Sequence, residues 1–396
     1  MNELLKQLTE AVGVASAEKE VRRLIRDLIA DYVDEWRVDA LGNLLALKRG
    51  DGESDLRVMV DAHMDEVGLM VTSIESNGTL KFTGVGGFDD RALLGKVVQV
   101  GPKKHVGVIG ARPIHFLKSN QRNSVVKMED MRIDIGAKNK ASADKKVRVG
   151  ECAAFVTVYQ ELGPTAIGKS FDNRAGCAAL VELLRAGPYP FDLHAAFTVQ
   201  EEVGLRGAQV AAYAIEPDVA LILECTPAYD LPNEQDVSPN VALGKGPAIY
   251  VMDSRTIQDP RLVSHITHTA AANDIPYQIR RPGGGGTNTS AIQQSRAGVP
   301  SATIGLAGRY SHTPAMMINL ADYANVVRLA EATLRSLTAE IVMRDTCCVA
   351  DAASVRDAWP RIVTPCTFRP SIELRFEVLY ERLDREINGG LRPVRI

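Results

Sequence analysis

Apolar and charged residues are interleaved at helical spacing over the first 36 residues. Between Met1 and Trp36, Leu, Val and Ile recur among Lys, Arg, Glu and Asp with the period of an amphipathic helix. A continuous apolar run follows at residues 44–47, and a largely apolar run at residues 56–62 leads directly into His63. The pattern predicts an opening helix followed by two strands, with His63 at the end of the second strand.

A different pattern occupies residues 67–159. Short alternating runs are separated there by Gly, Asn, Pro and Asp, which is typical of small antiparallel β structure. The runs cover residues 69–74, 79–83, 96–100, 106–109 and 151–158. We therefore predict that residues 67–159 form a compact β domain inserted into the main domain.

Alternation of helices and strands begins after Gly163-Pro164. Helical patterns at residues 177–184 and 260–273 lie among strand-like runs. The strand-like runs cover residues 195–199, 219–223 and 302–306. This order predicts an α/β fold with a mainly parallel sheet sandwiched by helices. In such folds the functional side chains collect at the carboxyl ends of the strands.

The last predicted helix of the main domain runs from Asn319 to Arg344. The main domain, which we predict to be catalytic, therefore consists of residues 1–66 and 160–345. Residues 346–396 form a predicted C-terminal extension that contains Arg but no Lys. The sequence assigns it no function, but it predicts one amphipathic helix there. The apolar face of that helix consists of Ile372, Phe376, Leu379, Leu383 and Ile387.

Composition excludes several classes of protein. The chain has 396 residues, of which 45% are hydrophobic, so it can bury a large core. Its formal charge is −3 without long blocks of like charge, which argues against binding to nucleic acid or a membrane surface. The N-terminal segment lacks the features of a signal peptide, and no apolar run approaches the roughly 20 residues that span a bilayer. The six Cys form no C-x-x-C pair, so we predict free thiols in a cytoplasmic protein.

Two adjacent carboxylates, Glu201 and Glu202, follow the strand-like run at residues 195–199. Their burial costs desolvation energy unless a cation lies beside them. A catalytic site with two metal ions needs two His, a bridging acid, two terminal acids and a separate base. The sequence offers this set at predicted strand ends and the loops after them: His63, Asp172, Glu201, Glu202, Glu224 and His312. It therefore predicts two divalent metal ions, Zn²⁺ or alternatively Co²⁺ or Mn²⁺.

Glu201 and Glu202 are expected to have different roles. Neighbouring side chains of an extended segment point to opposite faces, so one Glu can bind metal while the other faces water, in either order. A carboxylate beside metal-bound water is a suitable general base. Asp65 lies two residues after His63 and can accept the second imidazole N–H, which would fix the orientation of the ring.

Four segments resemble the M42 family of metallo-aminopeptidases, which includes glutamyl and tetrahedral aminopeptidases within the clan of dinuclear zinc exopeptidases. The segments are Asp61–Gly68, Lys169–Gly176, Glu201–Ala208 and Gly308–Pro314. The resemblance extends to about residue 345. It implies that the inserted domain is a small β-barrel that controls access and assembly. It also implies a homo-oligomer, since large hollow assemblies, commonly dodecamers, are frequent in the family.

The same resemblance assigns roles to the candidate residues. It implies that His63 and Glu224 hold one metal ion, that Glu202 and His312 hold the other, and that Asp172 bridges the two. Glu201 is then the general base, and Asp65 is the partner that orients His63.

Two positions depart from the family pattern. Glu224 stands where members usually carry Asp, so its side chain is one methylene longer. Asn288 stands where members typically carry Asp, in the Gly-rich loop at residues 283–290 that we expect to line the substrate cleft. Arg280 and Arg281 precede this loop and either select acidic substrate side chains or are solvated charges.

The resulting prediction is hydrolysis of the N-terminal residue from a peptide, with Glu201 carrying the proton from the attacking water to the leaving amine. Two alternatives remain at this stage. One is glycoside hydrolysis, as in an endoglucanase, by two carboxylates on opposite sides of the bond. The other is a catalytically impaired metal-binding assembly protein, an interpretation motivated by Glu224 and Asn288.

Overall fold

The structure is a computed structural model that describes residues 2–119, 122–230 and 241–343. The predicted C-terminal extension at residues 346–396, with its amphipathic helix, lies outside the described residues. The helices are α1 (Asn2–Glu10), α2 (Lys19–Ile29), α3 (Lys140–Asp144), α4 (Phe171–Ala186), α5 (Arg206–Ile215), α6 (Pro260–Ala272), α7 (Asn288–Gln293), α8 (Leu320–Arg335) and α9 (Ala339–Val342).

The strands belong to a large mixed sheet and a small barrel. The strands of the large sheet are β1 (Glu35–Val38), β2 (Leu44–Lys48), β3 (Arg57–His63), β10 (Gln160–Leu162), β11 (Thr165–Gly168), β12 (Asp192–Thr198), β13 (Val219–Ala228), β14 (Ala248–Tyr250), β15 (Gln278–Arg280), β16 (Ser301–Arg309) and β17 (Met316–Asn319). The strands of the barrel are β4 (Gly68–Ile74), β5 (Leu80–Val85), β6 (Val97–Val100), β7 (His105–Gly110), β8 (Arg132–Asp134) and β9 (Cys152–Phe155).

The centre of the large sheet is parallel. Strands β12, β3, β13 and β16 are neighbours in that order and run in the same direction. The strands on either side, β2 next to β12 and β17 next to β16, pair antiparallel. The α/β fold class predicted from the sequence is confirmed, with the parallel pairing concentrated in the middle of the sheet.

Helices cover both faces of this sheet. Val58 and Val60 of β3 point into one core, which α1, α2, α4, α6 and α8 cover. Met59 between them points into a second core with Ala208 and Ala212 of α5. Because both faces are buried, the central strands read as continuous apolar runs rather than as alternating ones.

The barrel closes on itself in the order β4-β5-β8-β7-β6-β9. Its interior is a separate core that includes Leu69, Leu80, Val98 and Ile133. The six strands lie within residues 67–159, the segment predicted as an inserted β domain. Strand β8 was not predicted, because three residues are too short to show an alternating pattern.

The opening helix predicted over residues 1–36 is instead two helices, α1 and α2, followed by strand β1. The chain leaves the helical path after Glu10, and at Gly13 an added Cβ would lie 2.7 Å from Nη2 of Arg174. Val14 then forms an isolated parallel bridge with Glu66. Periodicity alone did not reveal this break, because tertiary contacts impose it.

The predicted helix from Asn319 to Arg344 also divides, into α8 and α9. Asn319 caps α8 by accepting the N–H groups of Ala321 and Asp322. None of the helices in the described ranges combines the length and the apolar character needed to cross a bilayer.

Candidate metal centre

The parallel strands bring the candidate residues to one edge of the sheet. His63 is the last residue of β3 and pairs with Thr198, the last residue of β12. Glu201 and Glu202 follow β12, and Glu224 lies within β13 beside Gly305 of β16. Asp172 lies in the first turn of α4, and His312 follows β16. The structure therefore brings all the predicted ligands together.

The first cluster contains His63, Asp172 and Glu224. Nε2 of His63 lies 3.2 Å from Oδ1 of Asp172 and 3.4 Å from Oε1 of Glu224. One ligand atom from each residue lies within 4.8 Å of the others. His63 and Glu224 are buried, and Asp172 is 12% exposed.

The second cluster contains Asp172, Glu202 and His312. Nε2 of His312 lies 3.4 Å from Oε2 of Glu202 and 3.8 Å from Oδ2 of Asp172. Asp172 therefore presents a different carboxylate oxygen to each histidine. This is the arrangement that a carboxylate bridging two metal ions requires.

A third set, His63, Glu201 and Glu202, also has ligand atoms within 4.8 Å of one another. It reuses His63 and Glu202, which already belong to the clusters around Asp172. The two clusters that share Asp172 use His63, Glu224, Glu202 and His312 once each, and neither of them includes Glu201. Oε2 of Glu201 lies 3.9 Å from Nε2 of His63, at the border of the site.

The cluster carries more negative charge than its own residues neutralise. Burial raises the pKa of Glu202 well above its usual value, and the carboxylates of Asp172 and Glu201 raise it further. Burial disfavours the protonated form of His63 and so lowers its pKa. The carboxylates of Glu224 and Glu201 outweigh this effect, and the pKa of His63 is raised well above its usual value. A divalent cation would relieve this repulsion.

The donor set fits divalent metal ions. Two imidazoles and three carboxylates are the nitrogen and oxygen ligands that zinc takes in catalytic sites. Among the described residues, the buried Oε2 atom of Glu224 has no hydrogen-bond partner. A buried carboxylate oxygen left in this way is consistent with a ligand atom.

Asp65 is fully buried and holds the two glutamates by their main chain. Its Oδ1 accepts the N–H of Glu201 at 3.0 Å, and its Oδ2 accepts the N–H of Glu202 at 3.1 Å. Nδ1 of His63 lies 3.1 Å from the main-chain oxygen of Asp65 and 3.5 Å from its Oδ1. Asp65 thus connects the His63 segment to the Glu201-Glu202 segment, a contact that sequence reasoning did not find.

A buried ion network holds the Asp172 segment. Nζ of Lys169 lies 2.6 Å from Oε2 of Glu66, and Nη2 of Arg174 lies 3.2 Å from Oε1 of the same residue. Arg174 also donates from Nε to the main-chain oxygen of Met64 at 2.6 Å. These residues lie within the segments Asp61–Gly68 and Lys169–Gly176, but the sequence did not predict the contacts between them.

Asn288 lies beneath the site rather than in the cleft. Its Nδ2 donates to Oδ2 of Asp61 at 2.8 Å and to the hydroxyl of Thr198 at 2.9 Å. Burial raises the pKa of Asp61 to about 7. The amide of Asn288 supplies a donor to this buried carboxyl, whereas an Asp at position 288 would place two acids against each other. Thr287 and residues 284–286 of the same loop do line the cleft, as expected.

The clusters open into a cavity of about 460 Å³. Its walls include Tyr250 and the buried Arg280, whose guanidinium lies 4.4 Å from the centre of the Tyr250 ring. Arg280 donates to the hydroxyl of Thr226 and to the main-chain oxygens of Met252 and Gly284. Arg280 is therefore a fixed wall of the cavity, while Arg281 is exposed.

Comparison with known families agrees with this geometry. The family model described as M42 glutamyl aminopeptidase matches residues 42–329, which include every member of the two clusters. The chain belongs to the M42 family. A relative from Acetivibrio thermocellus, described as a putative aminopeptidase, is 38% identical to this chain over 330 residues, which cover 83% of this chain and 97% of the relative.

Solved structures of related peptidases share the fold. A TET aminopeptidase from the marine sediment archaeon Thaumarchaeota archaeon SCGC AB-539-E09 has a TM-score of 0.82 and 34% identity, covering 86% of this chain and 97% of that one. The TET1 peptidase of Pyrococcus horikoshii can assemble into a tetrahedron or a large octahedral shell. Its structure has a TM-score of 0.75 and 34% identity, and the match covers 85% of this chain and 99% of that one. The predicted resemblance to M42 aminopeptidases is thereby confirmed.

Proposed function

We propose that this M42 chain is a metal-dependent aminopeptidase that releases the N-terminal residue of peptides. The observation that carries the proposal is the pair of clusters that share Asp172, with Glu201 beside them and outside both. Family membership supports the hydrolysis of N-terminal peptide bonds, and the donor set supports two divalent metal ions.

His63, Glu224 and Asp172 would hold one ion, and Glu202, His312 and Asp172 the other. Zn²⁺ suits this donor set, and Co²⁺ and Mn²⁺ are the alternatives. Bound ions would supply Lewis-acid polarisation of the scissile carbonyl and a lowered pKa of water.

The chain itself supplies the proton transfer. Glu201 takes a proton from the attacking water as the C–O bond forms, and gives it to the amine nitrogen as the C–N bond breaks. Asp65 holds the main chain of Glu201 through a 3.0 Å hydrogen bond, so the carboxylate is positioned before the substrate arrives.

Replacement Glu201→Gln tests this role. The amide keeps the size of the side chain but cannot accept the proton, so kcat should fall by about 10²–10⁴-fold. Metal content, measured by mass spectrometry of the purified protein, should stay at the wild-type level. Glu129→Gln changes an exposed carboxylate outside the site and serves as the control. Full activity of Glu201→Gln on aminoacyl amides would exclude Glu201 as the base.

We also propose that the protein is a homo-oligomer, with a dodecamer as the expected form. The assembly of the similar TET1 peptidase of Pyrococcus horikoshii supports an oligomer, and the similar PhTET1-12s, described as a dodecamer, supports this form. Light scattering should give a mass about twelve times that of the single chain. A monomeric mass at micromolar concentration would contradict the proposal.

The two alternatives receive less support. A glycosidase needs acids on opposite sides of the bond, whereas the acids here converge on two histidine nitrogens. The departures that motivated an impaired assembly protein are both accommodated. Glu224 reaches His63 at 3.4 Å, and Asn288 pairs with Asp61.

A further inference from the structure

A second cavity lies beside the catalytic one. Its volume is about 670 Å³, and its walls come from α5 and from the segment that begins with α7 and ends at Arg296. Gly204, Leu205 and Arg255 line both cavities. The two cavities are therefore neighbours along one continuous wall.

The shared wall starts directly after the proposed base. The N–H groups of Gly204 and Leu205 both donate to the main-chain oxygen of Glu201, at 3.0 and 2.9 Å. In the proposed mechanism Glu201 returns the proton to the leaving amine. The part of the substrate that follows the scissile bond therefore begins beside Glu201, and Gly204 and Leu205 connect this position to the second cavity.

The two cavities differ in charge. Of the five carboxylates that line the catalytic cavity, Asp172, Glu202 and Glu224 are the proposed metal ligands, which leaves Glu201 and Asp253 as negative groups for a free amine. The described residues that line the second cavity include no carboxylate, but they include Arg255 and Arg296. A peptide with a free amine at one end and a carboxylate at the other matches this charge distribution.

Arg255 is the cation available to a ligand. Arg296 is already engaged, because its Nη2 lies 2.7 Å from Oε1 of Glu216 and its guanidinium stacks 3.9 Å from the ring centre of Tyr213. Arg255 is exposed, and within the described part of the chain its guanidinium forms no ion pair or hydrogen bond. A guanidinium can bind a carboxylate through two parallel hydrogen bonds.

We propose that the second cavity binds the part of the peptide that follows the scissile bond, and that Arg255 binds the terminal carboxylate of short substrates. This inference rests on the proposed aminopeptidase function. Arg255 stands where the cavities meet, so the carboxylate that reaches it belongs to a peptide with one or two residues after the scissile bond. Longer peptides continue past Arg255 along α5.

Three substrates with the same N-terminal residue test the role of Arg255. That residue is first chosen by screening wild-type protein against aminoacyl p-nitroanilides. The substrates are then the p-nitroanilide, the tripeptide ending in Ala-Ala, and the same tripeptide with an amidated C-terminus. Wild-type protein should prefer the free acid to the amide, mainly through a lower KM.

Replacement Arg255→Met should lower the acid-to-amide ratio of kcat/KM by about tenfold, the size expected for one charge-assisted hydrogen bond. Arg255→Lys should restore part of the preference, because it keeps the charge. Arg281→Met removes an exposed charge that lines neither cavity and should leave the ratio unchanged.

A steric replacement tests the second cavity itself. Val210 is 40% exposed on α5 and lines that cavity, so Val210→Trp can narrow the cavity without disturbing a core. The ratio of kcat/KM for a pentapeptide to kcat/KM for the p-nitroanilide should fall severalfold.

The outcomes separate the two levels of the proposal. Unchanged ratios in both Arg255→Met and Val210→Trp would overturn the inference while p-nitroanilide turnover keeps the aminopeptidase proposal intact. Equal loss on all substrates would also overturn the inference, because it would place these residues in chemistry or folding. Wild-type protein that hydrolyses none of the substrates with metal added would contradict the aminopeptidase function as well.

Discussion

At the scale of single residues, the geometry of the site also depends on residues that are not proposed metal ligands. Asp65 accepts the N–H groups of both glutamates, so one carboxylate sets the separation of the proposed base and the proposed ligand. His312 itself adopts a left-handed backbone conformation, with φ of +57°. Non-glycine residues adopt this conformation uncommonly, and surrounding contacts must hold it.

Replacement Asp65→Asn should weaken metal binding about 10–100-fold. Asn offers one accepting oxygen, and its NH₂ group would face the second N–H. Titration against a chelating dye measures the affinity. Asp51→Asn is the control, since Asp51 is exposed and accepts one main-chain N–H, from Glu53. Wild-type affinity in Asp65→Asn would show that Asp65 does not organise the site.

At the scale of elements, the sequence predicted the central strands well. The run at residues 219–223 is apolar throughout and includes the β-branched Val219 and Ile222, and it predicts β13, just as the run at residues 302–306 predicts β16. The turn after β12 was harder to predict. Asn43 clamps it by accepting the N–H of Val199 and donating to the main-chain oxygen of Gly207, each at 3.0 Å. A Cβ at Gly207 would meet the oxygen of Val199 at 2.3 Å. Such contacts join residues far apart in sequence, and no local pattern encodes them.

Strand β12 also carries a group that makes folding sensitive to acid. Burial lowers the pKa of His194 to about 4, and Arg57 contributes to the shift against the smaller opposing effect of Asp192. The folded state therefore binds its proton at lower pH than the unfolded state does. Stability should be lost as the pH falls from about 6.5 to about 4, and this residue should have no effect above that range.

Replacement His194→Gln should remove this loss. At pH 5 its melting temperature should exceed that of the wild type by roughly 2–4 °C, which corresponds to about 1 kcal/mol in a large domain. At pH 8 the contribution of His194 protonation should vanish. The melting temperature of His194→Gln should therefore rise relative to that of the wild type only as the pH falls. The exposed His115, replaced by Gln, is the control. Parallel melting curves of wild type and His194→Gln across this range would contradict the assignment.

At the scale of the whole molecule, the sequence predicted the α/β fold and the candidate ligands, but not their mutual geometry. His63 and His312 are 249 positions apart, and only the folded sheet shows that each faces a different oxygen of Asp172. The division into a catalytic domain and an inserted domain stays a prediction, although the barrel strands lie within the predicted segment. The second cavity also escaped prediction, because its walls come from α5, α7 and the loop of Arg255.

The central claim is that two divalent metal ions, bridged by Asp172, are required for removal of N-terminal residues. The most direct measurement combines metal analysis with hydrolysis of aminoacyl p-nitroanilides before chelation, after chelation and after stepwise return of Zn²⁺ or Co²⁺. We expect two ions per chain, loss of hydrolysis on chelation, and recovery that is complete only when both ions have returned. Hydrolysis that persists at the wild-type rate in metal-free protein would contradict the account.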